Sequence, residues 1–317
     1  MKHTKIEKSV RVCHHTIFPE YCMSMISNST DAFQVISIKD VFKEFPECLT
    51  DMYMHAHDFN LIIWTRNGRG THYVDFEQYE IEGNELIFLS SRNIHYYQPA
   101  NVQDGYVIAF SKEFLQHIDR TILNFVGYSL FSRSKGVNYC KVSPSSDKQL
   151  LNFVELMMRE CKSDVPDFLY RSCQASLLTL FLSTAIRECQ WSNALEISDN
   201  SQSFKHYITF LASVEQNFTT IHSVKNYAER IGVSVSILSR CTQMYEGNTP
   251  LQIINERIIL EAKRMLRYSS LRVKEVSIDL GFEDPSYFNK FFKKITGITP
   301  AQNGLSPPTK RCFHPPL

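Results

Sequence analysis

No apolar run in this 317-residue chain approaches the ~20 residues needed to cross a bilayer. The chain therefore predicts no membrane span. Its first residues, Met1-Lys2-His3-Thr4-Lys5-Ile6-Glu7-Lys8, lack the apolar core of a signal peptide. The nine cysteines form no CxxC pair, so spacing gives no support for a zinc site. They read as reduced thiols of a cytoplasmic protein, many of them ordinary core residues. Charge of one sign is missing too, since the net charge is only +1. That average hides an asymmetry: residues 204–317 sum to +6 and the remainder to −5. A basic half beside an acidic half suits a nucleic-acid module joined to another kind of module. With 43% hydrophobic and 21% charged residues, the chain has the length and composition of two soluble globular domains.

What is present is a repeat. Val224-Lys225-Asn226-Tyr227-Ala228-Glu229-Arg230-Ile231-Gly232 returns as Val273-Lys274-Glu275-Val276-Ser277-Ile278-Asp279-Leu280-Gly281, at an offset of 49. The copies run on to Gly247-Asn248-Thr249-Pro250 and Gly297-Ile298-Thr299-Pro300, now offset by 50. Each has a small residue (Ala228, Ser277), then Gly four positions later, then a second helical segment. The small residue lets two helices cross closely, and Gly supplies the unusual backbone of a helix-turn-helix turn.

Ser234 predicts a helix cap before Ser236–Met244, Thr249-Pro250 opens a helix to about Tyr268, and Asp284-Pro285 opens Ser286–Ile295. The middle helix has an apolar face of Leu251, Ile254, Ile258, Ala262 and Met265. At 1.5 Å per residue it is about 28 Å long, close to one ~34 Å turn of B-DNA. On the flanking helices Ile237, Leu238, Cys241, Phe288, Phe291 and Phe292 are core candidates. The outward sets are Ser236, Ser239, Arg240 and Gln243, then Ser286, Asn289, Lys290 and Lys293. Arg and Lys suit guanine edges, and Asn and Gln suit adenine. A solvated helix face is the plainer alternative at each single position.

Gly281-Phe282-Glu283-Asp284-Pro285-Ser286-Tyr287-Phe288-Asn289-Lys290-Phe291-Phe292-Lys293-Lys294-Ile295-Thr296-Gly297-Ile298-Thr299-Pro300 closely resembles the signature of the AraC/XylS family of bacterial transcription regulators. The resemblance covers about 205–302. It implies a seven-helix all-α domain with two helix-turn-helix units. By matching position, the base-facing set falls on Ser236, Ser239, Arg240, Ser286, Asn289 and Lys290. Gln243 joins it from the outward face, and Ser234, Lys293 and Lys294 are candidate phosphate contacts. The family's usual Tyr/Phe-Arg after Pro-x-x is absent, and Asn303-Gly304-Leu305-Ser306-Pro307-Pro308 predicts a shortened last helix.

Before the repeat, residues 35–110 read as short strands and turns. Asn60-Leu61-Ile62-Ile63-Trp64, Glu85-Leu86-Ile87-Phe88-Leu89 and Tyr106-Val107-Ile108-Ala109-Phe110 are buried-strand runs. Asn67-Gly68-Arg69-Gly70 predicts a turn, with Thr71-His72-Tyr73-Val74 as the return strand. Helices are predicted at Lys112–Phe125, after Ser143-Pro144, and over Asp167–Glu188, the last with Phe168, Leu177, Leu180, Phe181 and Thr184 inward. His55-Ala56-His57 followed by a hairpin and His95 resembles the cupin-like barrel at the N-terminus of many members of the family. Metal cupins add a Glu shortly after the HxH, whereas Asn60, Leu61 and Ile62 stand at that place. Three imidazoles could still hold a divalent metal, but the expectation is no metal and no cofactor. The preferred reading is an effector pocket of Tyr53, His55, His57, Trp64, Tyr73 and His95, taking a sugar-like or aromatic ligand. Hydrogen-bonded strand histidines are the plainer reading.

The expected fold is α+β and multidomain. It comprises an arm (1–30), a small cupin-like β-barrel (31–142) with a helical dimerisation segment (143–190), a linker (191–203), a DNA-binding domain (204–303) and a tail (304–317). Leu151, Val154 and Met158 form the expected dimerisation stripe. The expected function is a cytoplasmic, effector-responsive regulator with no catalytic activity, working as a homodimer on double-stranded promoter DNA. The resemblance implies activation through RNA polymerase, with repression the open alternative. The rivals are a cupin-type metalloenzyme with an appended helical domain and a ligand-independent DNA-binding regulator.

Overall fold

The computed structural model describes residues 20–23, 32–44, 54–91, 93–99, 104–118, 131, 138–162, 169–188 and 202–305. Most of the expected arm, linker and tail, together with Tyr53, lie outside the described residues. Two compact units divide the chain, with the main boundary between residues 199 and 200.

The first unit contains β1 (Glu20–Tyr21), β2 (Phe33–Ser37), α1 (Ile38–Glu44), β3 (Ala56–His57), β4 (Asn60–Asn67), β5 (Arg69–Val74), β6 (Glu77–Glu82), β7 (Glu85–Leu89), β8 (His95–Pro99), β9 (Asp104–Phe110) and β10 (Asn138–Lys141). Two long helices follow, α2 (Pro144–Cys161) and α3 (Tyr170–Glu188). The strands do not close into the expected barrel. They form a five-stranded antiparallel sheet in the order β10-β7-β4-β9-β2, a three-stranded sheet β6-β5-β8, and the parallel pair β1-β3. The expected hairpin after β4 is absent. Gly68, at φ 134°, is the single residue between β4 and β5. It carries the chain out of the large sheet, and Thr71–Val74 pairs with β6 and β8 instead.

The β4 run is apolar without a break because both of its faces are covered. Leu61, Ile63 and Thr65 point to one side, where Leu61 joins Phe59, Val74, Ile81, Ile87 and Ala109 in a shared core between the sheets. Ile62 and Trp64 point to the other side and are fully buried, with the Trp64 ring edge-on to Phe181 of α3 at 6.1 Å. All five residues of β7 are buried for the same reason. Helix α2 starts as expected, with Ser143 Oγ accepting from the Ser146 amide and Pro144 in the first turn. Glu188, the last residue of α3, accepts from the Ser143 amide at 2.8 Å and from Ser146 Oγ at 2.6 Å. Arg66 donates twice to Asp147, at 3.0 and 2.7 Å. Asn84 donates to Asp147 and accepts from Trp64 Nε1, so one network ties β4 to the first turn of α2.

Some helix assignments shift by a residue. In place of the start of the predicted helix at 112–125 there is only a short 3-10 turn at Phe114–His117, which ends at Ile118 in extended backbone; residues 119–125 lie outside the described ones. In α3 the core positions are Leu178, Phe181, Leu182 and Ala185, while Leu180 is exposed and Leu177 half-buried. Of the expected dimerisation stripe, Val154 is fully buried in its own unit and Leu151 and Met158 are half-buried. Cys22, Cys161, Cys173 and Cys241 are free thiols. Cys140 is disulfide-bonded, contrary to the expectation that all thiols are reduced.

The second unit shows seven helices among the described residues: α4 (Gln202–Asn217), α5 (Val224–Arg230), α6 (Val235–Glu246), α7 (Pro250–Tyr268), α8 (Val273–Asp279), α9 (Pro285–Thr296) and α10 (Pro300–Leu305). The repeat is visible in the backbone. In the α5–α6 turn the Val233 amide bonds to the Ala228 carbonyl at 2.9 Å, and in the α8–α9 turn Phe282 bonds to Ser277 at 2.9 Å. Ala228 and Ser277 are both buried. Gly232 and Gly281 take φ of 73° and 79°, the left-handed conformation that costs any other residue. Helix α7 opens with a full capping box, Thr249 with Gln252. Its buried face is Ile253, Ile254, Ile258, Ile259 and Ala262 plus Arg257, while Leu251 is exposed. Arg257 is held by Glu215 at 2.6 and 3.0 Å, by Glu261 at 3.0 Å, and lies 3.8 Å over the Phe218 ring. The same Thr-Pro-x-Gln box recurs at Thr299–Gln302. Helix α10 therefore forms through Asn303 and Gly304 as far as Leu305. Gly304 fits there because a Cβ would sit 3.2 Å from the Leu266 carbonyl oxygen of α7.

Two stability predictions follow from these contacts. Pairing with Arg66 holds the Asp147 carboxyl below its usual range. A depressed carboxyl contributes stability that is complete at neutral pH and is lost as acid titrates it below the unfolded value of ~3.9. Asp147→Ala, which leaves Arg66 without its bidentate partner, should cost the first unit roughly 1–3 kcal/mol at pH 7. An unchanged denaturation midpoint would contradict this. The two repeat glycines should also differ. A Cβ at Gly232 meets open space, whereas at Gly281 it collides with the Thr219 carbonyl oxygen. Gly232→Ala should cost about 1–2 kcal/mol. Gly281→Ala should cost roughly 1–3 kcal/mol more, and equal midpoints for the two variants would refute the distinction.

Candidate nucleic-acid interface and ligand cavity

Each helix pair presents one long amphipathic helix. In α6, Leu238 and Cys241 are buried, and in α9, Phe288 and Phe292. Ile237 and Phe291 are only half-buried. The opposite faces carry the predicted contact residues. Ser236, Arg240 and Gln243 are exposed and Ser239 half-buried on α6, while Ser286, Asn289, Lys290, Lys293 and Lys294 are exposed on α9. The faces correspond position by position at an offset of 50, Ser236 with Ser286, Ser239 with Asn289, Arg240 with Lys290 and Gln243 with Lys293. Ser234 has a structural task, since its hydroxyl accepts from the Ile237 amide at 3.2 Å. Asp284 does the same for α9 by accepting from Ser286 at 2.8 Å. Gln243 Nε2 donates to the Gly247 carbonyl at 3.3 Å, which closes its own helix. Tyr287, 61% exposed, stands on the same helix as Lys290 and was not among the predicted contacts.

The first unit holds a cavity of about 120 Å³ between its sheets. Strand alternation decides its lining. From β4 come Leu61, Ile63 and Thr65, from β5 His72, and from β8 His95 and Tyr97. His55, His57, Tyr21 and Phe42 complete one side. No Lys, Arg, Asp or Glu appears in the lining among the described residues. Of the predicted pocket residues, His55, His57 and His95 are brought together and all are buried. Trp64 and Tyr73 are not. Trp64 faces the helices, bonded to Asn84, and Tyr73 stacks on Tyr96 at 4.3 Å on the far side of its sheet. Both fall on the wrong parity of a period-two strand. The same parity points to the residue that was missed, His72, directly beside Tyr73.

The imidazoles form a chain. His72 Nε2 lies 2.9 Å from His95 Nδ1, and His95 Nε2 lies 3.2 Å from His57 Nδ1. Burial, with lesser repulsion from neighbouring imidazoles, drives His57 and His95 well below the ordinary histidine range and His72 to about 3. These three are neutral at physiological pH. Neutral imidazoles in an apolar wall can exchange hydrogen bonds with a ligand or donate lone pairs to a cation.

Family models agree with both halves of this picture. The model described as a helix-turn-helix domain matches residues 227–303, and that of the AraC-like ligand binding domain matches residues 48–175. The chain belongs to the AraC family of transcription regulators. AraC-family relatives include the HTH-type transcriptional activator RhaR of Cronobacter sakazakii, 24% identical over 249 residues, 78% of this chain and 84% of that protein. The HTH-type transcriptional activator RhaS of Escherichia fergusonii is 22% identical over 274 residues, covering 78% of this chain and 86% of that protein. Among solved structures, ToxT from Vibrio cholerae is 15% identical and covers 87% of this chain and 98% of its own, with a TM-score of 0.39. This AraC-family chain is thus a DNA-binding regulator with a ligand-binding domain joined to a helical one. No described helix is long and apolar enough to cross a membrane.

Proposed function

We propose that the protein is an effector-responsive transcriptional activator with no catalytic activity of its own, acting in the cytoplasm. In this reading α5–α6 and α8–α9 are two helix-turn-helix units, and α6 and α9 enter successive major-groove segments of promoter DNA. The observation that carries it is the pair of matching exposed faces, Ser236–Ser239–Arg240–Gln243 and Ser286–Asn289–Lys290–Lys293, each set on a buried apolar back. Arg240 and Lys290 are the strongest base readers by chemistry, with Asn289 suited to adenine. Lys293 and Lys294 supply phosphate contacts. Ser234 contributes by ordering the start of α6. Activation rather than repression is supported by the relatives, which are named as activators, and implies contact with RNA polymerase. In this reading the effector-binding part spans 31–142, the helical segment 143–190 and the DNA reader 204–303.

The effector is a small molecule held in the cavity. A largely apolar wall with no charged side chain among the described residues suits a ligand with an aromatic or aliphatic body and few polar groups better than a polyhydroxylated sugar. Homodimerisation runs through α2 and α3. Because Val154 is buried, the contact passes through their exposed apolar side chains Leu156 and Leu180, which are 44% and 49% exposed.

Substitutions separate the roles. Lys290→Ala should weaken binding to the operator by ~1–3 kcal/mol and relax the preference at one base pair. Lys293→Ala should weaken binding to all sequences alike and reduce the salt slope by about one unit. Titrations of operator and random duplexes at several salt concentrations measure both. If the two variants lose affinity equally on both duplexes, α9 is not a base reader. Leu156→Glu with Leu180→Glu should yield a folded monomer by sedimentation, and an intact dimer would move the interface elsewhere.

A further inference from the structure

We propose that His55, His57 and His95 hold one divalent transition-metal ion at the wall of the cavity. The three are buried, come from separate places in the fold, and have ligand atoms within 4.8 Å of one another. His57 and His55 flank Ala56 around β3, and His95 opens β8. The backbones are locked together, since His55 and His95 exchange both amide hydrogen bonds at 3.0 and 2.9 Å. The His95 Nε2 to His57 Nδ1 distance of 3.2 Å is that of a hydrogen bond. It is also the edge of a tetrahedral site with metal–nitrogen bonds of 2.0–2.1 Å, about 3.3 Å.

One further observation favours an ion over plain packing: His72 stands behind the set. Its Nε2 takes the Nδ1 side of His95 at 2.9 Å, which leaves the other ring nitrogen of His95 facing His57. A ligating histidine is held in this way by a partner on its second nitrogen. The donor set is three imidazole nitrogens with neither thiolate nor carboxylate, which fits zinc, cobalt, nickel or copper and excludes calcium and magnesium. Three protein ligands leave a coordination position open. It faces the cavity, because the same three residues line it.

The test uses the full-length protein stripped with chelator and titrated with Co²⁺. The expected result is saturation at one equivalent with the visible absorption of a four- or five-coordinate cobalt–histidine site, displaced by Zn²⁺. His55→Gln, His57→Gln and His95→Gln, each checked for folding by circular dichroism, should each weaken Co²⁺ binding at least tenfold. His72→Phe, a positioning change, should weaken it about 10–100-fold. His117→Gln, on the exposed surface, should change nothing. If one variant fails to fold, the remaining ones decide. A folded, stripped wild-type protein that takes up neither Co²⁺ nor Zn²⁺ overturns the proposal. So does binding that persists unchanged in the folded variants, which places the ion elsewhere. Neither result bears on DNA binding by the helical unit.

Discussion

A side chain on a strand can face only one side of its sheet, and this constraint organises the first unit. In β4 it sends Leu61, Ile63 and Thr65 to the cavity and Ile62 and Trp64 to the helices. In β5 it sends His72 inward and leaves Tyr73 to stack on Tyr96. The cavity is therefore a consequence of register. A one-residue slip would exchange the histidine wall for tyrosines and turn the indole of Trp64 into the space. The network from Trp64 through Asn84 and Asp147 to Arg66 guards against such a slip by tying β4 to the first turn of α2.

The helical unit answers to a different constraint, the need to turn sharply between two helices whose inner faces are already committed. Gly232 and Gly281 meet it with the same left-handed backbone and the same amide-to-carbonyl bond behind the glycine. They are not equivalent, because only Gly281 presses on another segment, at Thr219. His222 Nε2 also bonds to the Leu280 carbonyl at 2.9 Å, so the second turn is braced by the α4–α5 connection. The outward faces of α6 and α9 are thus carried on differently supported turns.

Much of this was legible in the sequence, and the misses have physical causes. The helices of the second unit were readable because their ends carry explicit chemistry. Ser234, Thr249-Pro250 and Asp284-Pro285 all cap where expected, and Gly247 and Gly297 close their helices in the left-handed conformation. Helix α10 is short, six residues from Pro300 to Leu305, as the Asn303–Pro308 stretch predicts, and the Thr299–Gln302 box starts it. The three histidines HxH and His95 were also found, since their spacing is unusual. His72 was passed over for Tyr73 because, although burial alternates along β5, its inward positions include Gly70 and the polar His72, so no apolar–polar alternation in the sequence marks the parity. The barrel expectation failed at Gly68, where one glycine switches sheets and no hairpin forms. The inward set of α3 held at Phe181 and Thr184 and failed at Leu177 and Leu180: Leu177, Leu178 and Leu180 are equally apolar, and only packing chooses Leu178.

The central claim is that the two repeated faces read DNA sequence as one unit. Its most direct test is selection of genomic fragments by the purified full-length protein, followed by footprinting of those retained. The account predicts an enriched motif with two base-specific blocks about one helical turn, ~10 bp, apart, both protected on one face of the duplex. Fragments retained without any shared motif, released together as salt rises, would show electrostatic binding alone and would contradict it.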